Sequence, residues 1–305
     1  MKRLLILTYH RVLDRPDPLM PGHVTVDTFR NQIGILKKWF RVAPLSSAVR
    51  DLQRGVLPLG SVAVTFDDGY ADNYTNALPI LAEAGLPATF FIATGFLDGG
   101  CMWNDAVTEA IRRSGKAKLD LSWLGLGERA LGDSGRRAAL VAELIKSLKY
   151  LPMDERLERV ERLLIEADVP RPEALMMTSA QVGALAGAGM HIGAHTVRHP
   201  ILSRIPAASA QAEIRASRRY LEELLGRGVD GFAYPNGKPG RDYTAEHVGL
   251  VRDCGFEFAV STAPGAARRT DDRYQLPRVG VWSTAPWKIL LNMALAFGSR
   301  QTQRA

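Results

Sequence analysis

Short apolar runs alternate along the chain with longer segments whose apolar residues recur at helical spacing. The runs predict buried strands at 3–9, 61–66, 88–93, 191–194, 231–234, 258–261 and 278–282. The amphipathic segments predict helices at 27–39, 74–84, 178–188, 207–225 and 246–254. This alternation favours parallel strands joined by crossover helices. An α/β barrel, complete or incomplete, and a doubly wound open sheet both fit the pattern.

Local signals define some of the helix ends. Asp27 is expected to cap the first helix, and Gly85 is expected to end the second. Several predicted strands end in polar motifs. The carboxyl ends of strands in a parallel barrel gather at one mouth, where catalytic residues lie.

The segment from about 99 to 174 interrupts the alternation. It is rich in Arg and Leu and has helical patterns at 136–149 and 154–167. We therefore expect a single domain over 1–290 with a helical insertion at about 99–174, followed by a tail at 291–305. The insertion either shapes a substrate groove or is a solvated cap without a functional role.

The composition is that of a globular protein, with 46% hydrophobic and 23% charged residues among 305. The net charge of +7 is dispersed. It indicates either solvated surface arginines or attraction to an anionic partner such as a phosphate-bearing lipid, a membrane surface or nucleic acid. No basic stretch interleaves with aromatic residues, so we expect no nucleic-acid partner. No pattern indicates an oligomeric state.

Compartment signals are few. The only cysteines, Cys101 and Cys254, are expected to be reduced structural thiols. The apolar run near the N-terminus is too short for a signal peptide, and no apolar stretch reaches the ~20 residues needed to span a bilayer. We therefore expect a cytoplasmic location, with peripheral contact at the inner membrane surface as a further possibility.

Two motifs carry candidate chemistry. Asp67 and Asp68 follow a buried strand and precede Gly69, which permits a tight turn. Adjacent side chains at a strand end point in different directions, so one carboxylate can bind a metal while the other addresses a water. His195 and His199 lie four positions apart in a predicted loop or single turn. Two imidazoles and a carboxylate form a catalytic set for a divalent metal, although Asp-Asp-Gly alone is often only a turn.

With these motifs in view, the chain resembles the polysaccharide deacetylase family, carbohydrate esterases that remove N-acetyl groups from glycans. The resemblance rests on three motifs in the same order, at 65–70 (TFDDGY), 195–200 (HTVRHP) and 232–237 (FAYPNG). It spans most of residues 3–282 and implies a deformed, partly open (β/α) barrel. It also implies that Asp68, His195 and His199 hold the metal, most readily Zn²⁺, with Co²⁺, Ni²⁺ or Fe²⁺ as alternatives.

The resemblance further implies residue roles. Asp67 is the general base for the attacking water, and the backbone N–H of Asn236 stabilises the tetrahedral oxyanion. The family's late Leu-x-His motif is missing, but the early 7–11 (LTYHR) resembles a branch with permuted motif order, which makes His10 the acid. Ala233 stands where many relatives have an arginine that pairs with the base.

Arg278 either supplies that missing charge from a later strand or lies on the surface at a strand start. Trp103 and Trp282 either stack on sugar rings or pack in the core. The expected function is metal-dependent removal of N-acetyl groups from an N-acetylated glycan or a lipid-linked amino-sugar precursor, in cell-surface or exopolysaccharide synthesis. The alternatives are a deformylase or other amidase acting on a different amino-sugar lipid and a glycan-binding barrel without activity. Retention of all four motif carboxylates and imidazoles speaks against the inactive barrel.

Overall fold

The computed structural model describes residues 2–280, 286–298 and 304–305. The strands are β1 (Arg3–Tyr9), β2 (Val12–Leu13), β3 (Val24–Thr25), β4 (Arg41–Val42), β5 (Ser61–Phe66), β6 (Thr89–Ile92), β7 (Lys118–Asp120), β8 (Glu128–Ala130), β9 (His191–Ala194), β10 (Gly231–Ala233), β11 (Phe258–Pro264), β12 (Ala267–Arg268) and β13 (Leu276–Gly280). The helices are α1 (Val26–Trp39), α2 (Leu45–Arg54), α3 (Leu78–Ala84), α4 (Trp103–Arg113), α5 (Ser134–Leu148), α6 (Met153–Ala167), α7 (Ser179–Gly187), α8 (Ala207–Leu225), α9 (Ala245–Asp253) and α10 (Pro286–Gly298).

Parallel strands form a ring in the order β1, β13, β11, β10, β9, β6 and β5, and β5 pairs back onto β1. The β1–β5 ladder is long, whereas β9 and β10 share a single residue pair, Ala194 and Phe232. The register shifts within the β11–β13 pairing, between Val260 and Pro264. The predicted (β/α) barrel is thus confirmed. Over the described strands the ring of pairings is closed, where a partial opening was expected.

Barrel strands send alternate side chains to two cores, as the period of two requires. In β1, Leu4 and Ile6 face the barrel interior, and Leu5 and Leu7 pack outward against the helices. Helix α2, which was not predicted, packs its buried residues against the side chains of the barrel interior. We call the inward positions of each strand its interior track.

The predicted cap of the first helix was wrong. Helix α1 begins at Val26, and the side chain of Thr25 accepts a hydrogen bond from the backbone N–H of Thr28. Thr25 has the extended backbone of a capping residue, whereas Asp27 already lies in the first turn, where its charge favours the helix dipole. Helix α8 has the predicted bounds, and Gly85 ends α3 in a left-handed conformation.

The segment predicted as an insertion has a core of its own. Helices α4, α5 and α6 and the β7–β8 hairpin enclose it. Its fully buried members include Val107, Ile111, Leu144 and Leu163. This insertion core is separate from the two cores of the barrel.

Helix α10 crosses the predicted boundary between domain and tail at 290/291, and its Ile289 and Met293 are buried in the outer core. The strand predicted to reach Trp282 is described only as far as Gly280, and Trp282 lies outside the described residues. Cys101 and Cys254 are free thiols. Over the described ranges, each helix is too short or too polar to cross a membrane.

Candidate metal centre

The first motif continues the interior track of β5. Ala63 lies in the interior core, Thr65 is buried two residues on, and Asp67 is next in the same alternation. The backbone then turns through positive φ, at +75° for Asp68 and +94° for Gly69. The tight turn predicted at Gly69 is therefore present. It lets the neighbouring carboxylates of Asp67 and Asp68 address different partners.

His195 follows the end of β9. Its backbone N–H donates to the carbonyl of Ile92, which extends the β6–β9 ladder by one bond of 3.0 Å. Its ring Nδ1 donates to the carbonyl of Ala233 at 2.7 Å. A carbonyl only accepts, so Nδ1 carries the proton and Nε2 is left with a free lone pair. This is the orientation that metal-ligating histidines commonly have.

The loop from Thr196 to His199 is held by a buried carboxylate on α8. Glu213 accepts the backbone N–H groups of Val197 and Arg198 at 2.9 and 2.8 Å, and it also accepts the Nε of Arg198 at 2.8 Å. Thr196 and His199 have positive φ, at 64° and 52°. Such backbones cost about 1–3 kcal/mol each and persist where the surroundings determine them. With this backbone, the ring of His199 lies beside that of His195, with 4.7 Å between the ring centres.

Three candidate ligands converge in this region. Nε2 of His195 lies 3.4 Å and Nε2 of His199 lies 3.5 Å from Oδ1 of Asp68. One ligand atom from each residue falls within 4.8 Å of the other two. The structure therefore brings Asp68, His195 and His199 together, although Asp68 and His199 are well over a hundred positions apart in the chain.

The donor set fits a cation. Oδ1 of Asp68 is buried and has no hydrogen-bond partner among the described residues. Burial works against ionisation of Asp68, but the adjacent imidazoles of His195 and His199 outweigh it and lower its pKa. Burial also lowers the pKa of His199 to about 3, which leaves a neutral imidazole. An ionised oxygen without a donor, facing two imidazole nitrogens, matches the ligands of a zinc-type site.

Arg278 binds Asp67 with both arms of its guanidinium. Nη1 donates to Oδ1 at 2.7 Å and Nη2 to Oδ2 at 2.6 Å, and Nε donates to the carbonyl of Ser261 at 2.9 Å. Both side chains are buried. Burial would raise the pKa of Asp67, but the charge and hydrogen bonds of Arg278 prevail and lower it. Of the two sequence alternatives for Arg278, the structure shows the interior position against Asp67.

His10 and Asn236 lie on the same cleft, which has a volume of about 260 Å³ and is also lined by Asp67, Asp68, His195 and His199. The carbonyl of His10 accepts a hydrogen bond from Nδ2 of Asn73 at 2.7 Å, which fixes the end of β1. Asn236 has a positive φ of 59°, and its carbonyl accepts the hydroxyl of Thr262 at 2.8 Å. The structure therefore brings six of the predicted site residues to one cleft, and the seventh, Arg278, pairs with Asp67.

Several cleft residues were not predicted. His23 lies with its ring 6.4 Å from that of His10, and burial is the main cause that lowers its pKa to about 4. Lys149 and Arg156 come from the insertion. Tyr70 and Tyr234 also line the cleft, and each belongs to one of the three motifs, so both carried a sequence signal. Trp103 lies in the cleft, where the guanidinium of Arg156 covers its ring at 4.9 Å.

Comparison with known proteins agrees with this geometry. A family model described as polysaccharide deacetylase matches residues 55–119 and 159–259, which together are more than half of the chain. The unmatched gap falls inside the insertion. YxkH of Bacillus subtilis (strain 168), named as a polysaccharide deacetylase, is 23% identical over 220 residues. That match covers 72% of this chain and 51% of YxkH, so the chain spans about half the length of this curated relative.

Two solved structures share the fold. The Streptococcus pyogenes deacetylase PplD, in complex with acetate, matches with a TM-score of 0.65 and 20% identity, covering 95% of this chain and 98% of PplD. IcaB from Ammonifex degensii matches with a TM-score of 0.61 and 20% identity, covering 97% of each chain. With the three motifs, the barrel and the extent of the family match in agreement, the chain belongs to the polysaccharide deacetylase family.

Proposed function

We propose that this chain is a metal-dependent hydrolase that removes N-acetyl groups from an N-acetylated glycan. The proposal rests on one observation: a set of candidate metal ligands and a buried ion pair lie side by side at the mouth of the barrel. Asp68, His195 and His199 form a ligand set, and the Asp67–Arg278 pair lies directly beside it. Family membership supplies the reaction type, and acetate bound to PplD is the product expected here.

Asp68, His195 and His199 would hold the metal, and we favour Zn²⁺ among the divalent ions that accept mixed nitrogen and oxygen ligands. When bound, such an ion polarises the amide carbonyl and makes water a better nucleophile. The ring of His195 needs no rearrangement, since Ala233 already fixes its tautomer.

The other residues act on protons and on the carbonyl oxygen. Asp67, kept ionised by Arg278, accepts a proton from the water as its oxygen bonds to the carbonyl carbon. The backbone N–H of Asn236 donates to the oxygen that becomes negative. His10 donates a proton to the amide nitrogen as the C–N bond breaks. The products are acetate and a free amine on the sugar.

We place the reaction in the cytoplasm at the inner membrane surface, on a lipid-linked amino-sugar precursor used in cell-surface or exopolysaccharide synthesis. A formylated amino-sugar lipid would use the same residues, and its product would be formate in place of acetate.

The test combines metal analysis of the purified protein with a screen for acetate and formate release. The substrates are N-acetylated oligosaccharides, lipid-linked N-acetylated sugars and formylated counterparts. We expect about one divalent ion per chain and acetate release that chelation abolishes. Release of formate without acetate would indicate that the protein is a deformylase and not a deacetylase. Glycan binding with no release of either acid, in metal-loaded protein, would support the inactive barrel.

A further inference from the structure

The insertion contributes two cations to the wall of the catalytic cleft. Lys149 caps the C-terminus of α5, and Arg156 lies in the first turn of α6. Both line the same cleft as Asp68, His195 and His199. The barrel alone provides the candidate metal ligands and the base, so that chemistry does not require the insertion cations.

Arg156 is the more informative of the two. Its side chain is buried, with a relative exposure of 4%, and its Nε has no hydrogen-bond partner among the residues that the structure describes. Its Nη1 donates to the carbonyl of Lys149 at 3.0 Å. Across the described part of the chain, no carboxylate forms an ion pair with Arg156. Arginine stays charged in proteins, and buried charges are normally paired, so this guanidinium lacks a counter-ion.

Neither the helix nor the aromatic neighbour replaces that counter-ion. A cation in the first turn of a helix is opposed by the helix dipole, which favours negative charge there. Trp103 lies against the guanidinium, and a cation–π contact recovers only part of the lost hydration. The site therefore retains a positive charge turned toward the cleft.

More cations surround this position. The guanidinium groups of Arg204 and Arg241 lie 5.7 and 4.6 Å from the ring centre of Tyr150, the residue after Lys149. Burial, followed by the charges of Lys238, Arg241 and Arg156, lowers the pKa of Lys149 against the opposing effect of Asp242. Asp242 is itself buried, and its Oδ2 accepts the backbone N–H of Lys238 at 3.1 Å. The edge of the cleft is thus strongly positive.

We propose that Arg156 and Lys149 form a subsite for an oxyanion carried by the substrate, a phosphoryl or a carboxylate group close to the N-acetylated sugar. The inference rests on the proposed deacetylase function and narrows its substrate class to anionic glycans. The planar fork of arginine suits two oxygens of one such group, and lysine adds a point charge. The bound anion supplies the partner that Arg156 lacks.

The test compares matched substrates in the metal-loaded full-length protein. One is a neutral N-acetylated oligosaccharide, the second carries a terminal phosphate, and the third has a uronic acid next to the N-acetylated sugar. We expect the wild type to show a higher kcat/KM for at least one anionic substrate. Lys149→Gln should lower the ratio of anionic to neutral kcat/KM about tenfold, mainly through KM. The two anionic substrates distinguish phosphate from carboxylate.

The matched control is Lys146→Gln, which removes the same charge from an exposed position one turn earlier on α5. It should leave the ratio and the activity unchanged. Because Arg156 is buried, Arg156→Lys is used beside Arg156→Gln, and thermal unfolding identifies any variant that fails to fold. A folded Arg156→Lys should keep part of the preference for anionic substrates, since lysine retains the positive charge but lacks the planar guanidinium that binds two oxygens.

A second readout requires no turnover. Calorimetric titration with N-acetylglucosamine 1-phosphate and with N-acetylglucosamine should show a preference for the phosphate that Lys149→Gln reduces and Lys146→Gln preserves. Equal kcat/KM and equal binding for neutral and anionic compounds would overturn the subsite and leave the deacetylase intact. Anion-dependent binding without acid release from any substrate would overturn the deacetylase and support the subsite.

Discussion

At the scale of single residues, the carboxylate of Asp67 is held by two hydrogen bonds and one full charge from Arg278. The pair is buried, so its geometry is fixed before any substrate arrives. We expect Asp67→Asn to reduce turnover by about 10²–10⁴-fold, because an amide cannot take up the proton of the attacking water. Steady-state acetate release measures this loss.

The same variant should still bind metal, since Asp67 is not one of the three ligands. His195→Ala and His199→Ala should lose both metal and turnover. Metal content and thermal unfolding of each variant provide the controls, because a buried arginine without its partner destabilises the fold by about 3–5 kcal/mol. Near-normal turnover in a folded, metal-loaded Asp67→Asn would show that another group is the base.

A second buried carboxyl, Asp105, lies beside an ion pair of Arg11 and Asp72, in which Nε and Oδ2 are 2.7 Å apart. Oδ2 of Asp105 has no hydrogen-bond partner among the described residues. Burial is the main cause that raises the pKa of Asp105 from 3.8 to about 7, and Arg11 and a hydrogen bond from Tyr70 oppose it. One arginine thus faces two carboxyl groups, and Asp105 retains its proton close to neutral pH.

This proton links stability to pH. Between pH 3.8 and about 7 the folded chain holds a proton that the unfolded chain releases, so Asp105 lowers the free energy of unfolding as the pH rises through this window. We expect Asp105→Asn to become more stable than the wild type toward pH 8, by an amount on the order of a few kcal/mol, and to lose that gain near pH 4. Urea unfolding across this pH range measures it.

The exposed Asp253→Asn, at the end of α9, serves as the control and should show no such trend. A difference between Asp105→Asn and the wild type that stays constant with pH would mean that the carboxyl of Asp105 is ionised throughout.

Sequence patterns correctly located the site residues that directly follow a predicted strand, because the end of that strand fixes their position. Asp67, Asp68 and His195 follow apolar runs directly, so the strand ends predict where they lie. Arg278 was left between two alternatives, because its partner is 211 positions away and the pairing depends on how β13 closes onto β1. His23, Lys149 and Arg156 reach the cleft through loop and insertion packing, for which the local pattern carries no signal.

At the scale of elements, the insertion is coupled to the cleft through α5 and α6. Leu144 lies on α5 and is fully buried in the insertion core, to which α4 and α6 also contribute. We expect Leu144→Ala to lower the free energy of unfolding by about 2–5 kcal/mol through the cavity it leaves. Because the metal ligands belong to the barrel, KM should rise while metal content stays constant.

Leu157→Ala is the comparison, since Leu157 lies on α6 with 37% of its surface exposed. This substitution should lower the free energy of unfolding by less than Leu144→Ala does. Steady-state kinetics and metal analysis on both variants provide the measurements. An equal loss of metal and substrate binding in Leu144→Ala would show that the barrel and the insertion unfold together.

Helix α10 buries one side and exposes another. Ile289 and Met293 lie in the outer core, whereas Trp287, Leu291 and Leu295, each four residues from the next, are 63%, 49% and 64% exposed. A chain of charge +7 with an exposed tryptophan beside Lys288 is suited to an anionic lipid surface. We expect the protein to sediment with vesicles that contain phosphatidylglycerol and less with phosphatidylcholine alone.

Leu291→Ser should weaken that sedimentation, and Leu59→Ser, on an exposed residue of a different segment, should not. If the protein sedimented with neither kind of vesicle, the proposed contact with the membrane surface would be wrong. Helices α2, α4 and α10 were not predicted. The buried residues of α2, Leu45, Ala48, Val49 and Leu52, do recur at helical spacing, so this helix carried a sequence signal that the prediction missed.

At the scale of the whole molecule, the candidate metal site joins parts of the barrel that are distant in sequence. Asp68 follows β5, and both histidines follow β9, with β6 between these strands in the ring. A ligand that binds only the folded chain stabilises it by RT ln(1 + [L]/Kd), which is about 2.7 kcal/mol at a hundredfold excess over Kd.

Removal of the metal should therefore lower Tm, and Zn²⁺ should restore it. In His199→Ala, Tm should respond neither to chelation nor to Zn²⁺, whereas Asp67→Asn should respond as the wild type does. Because this measurement needs no substrate, it tests the ligand set independently of the reaction, and a wild type whose Tm is the same with and without metal would rule out a folded-state cation at these three residues.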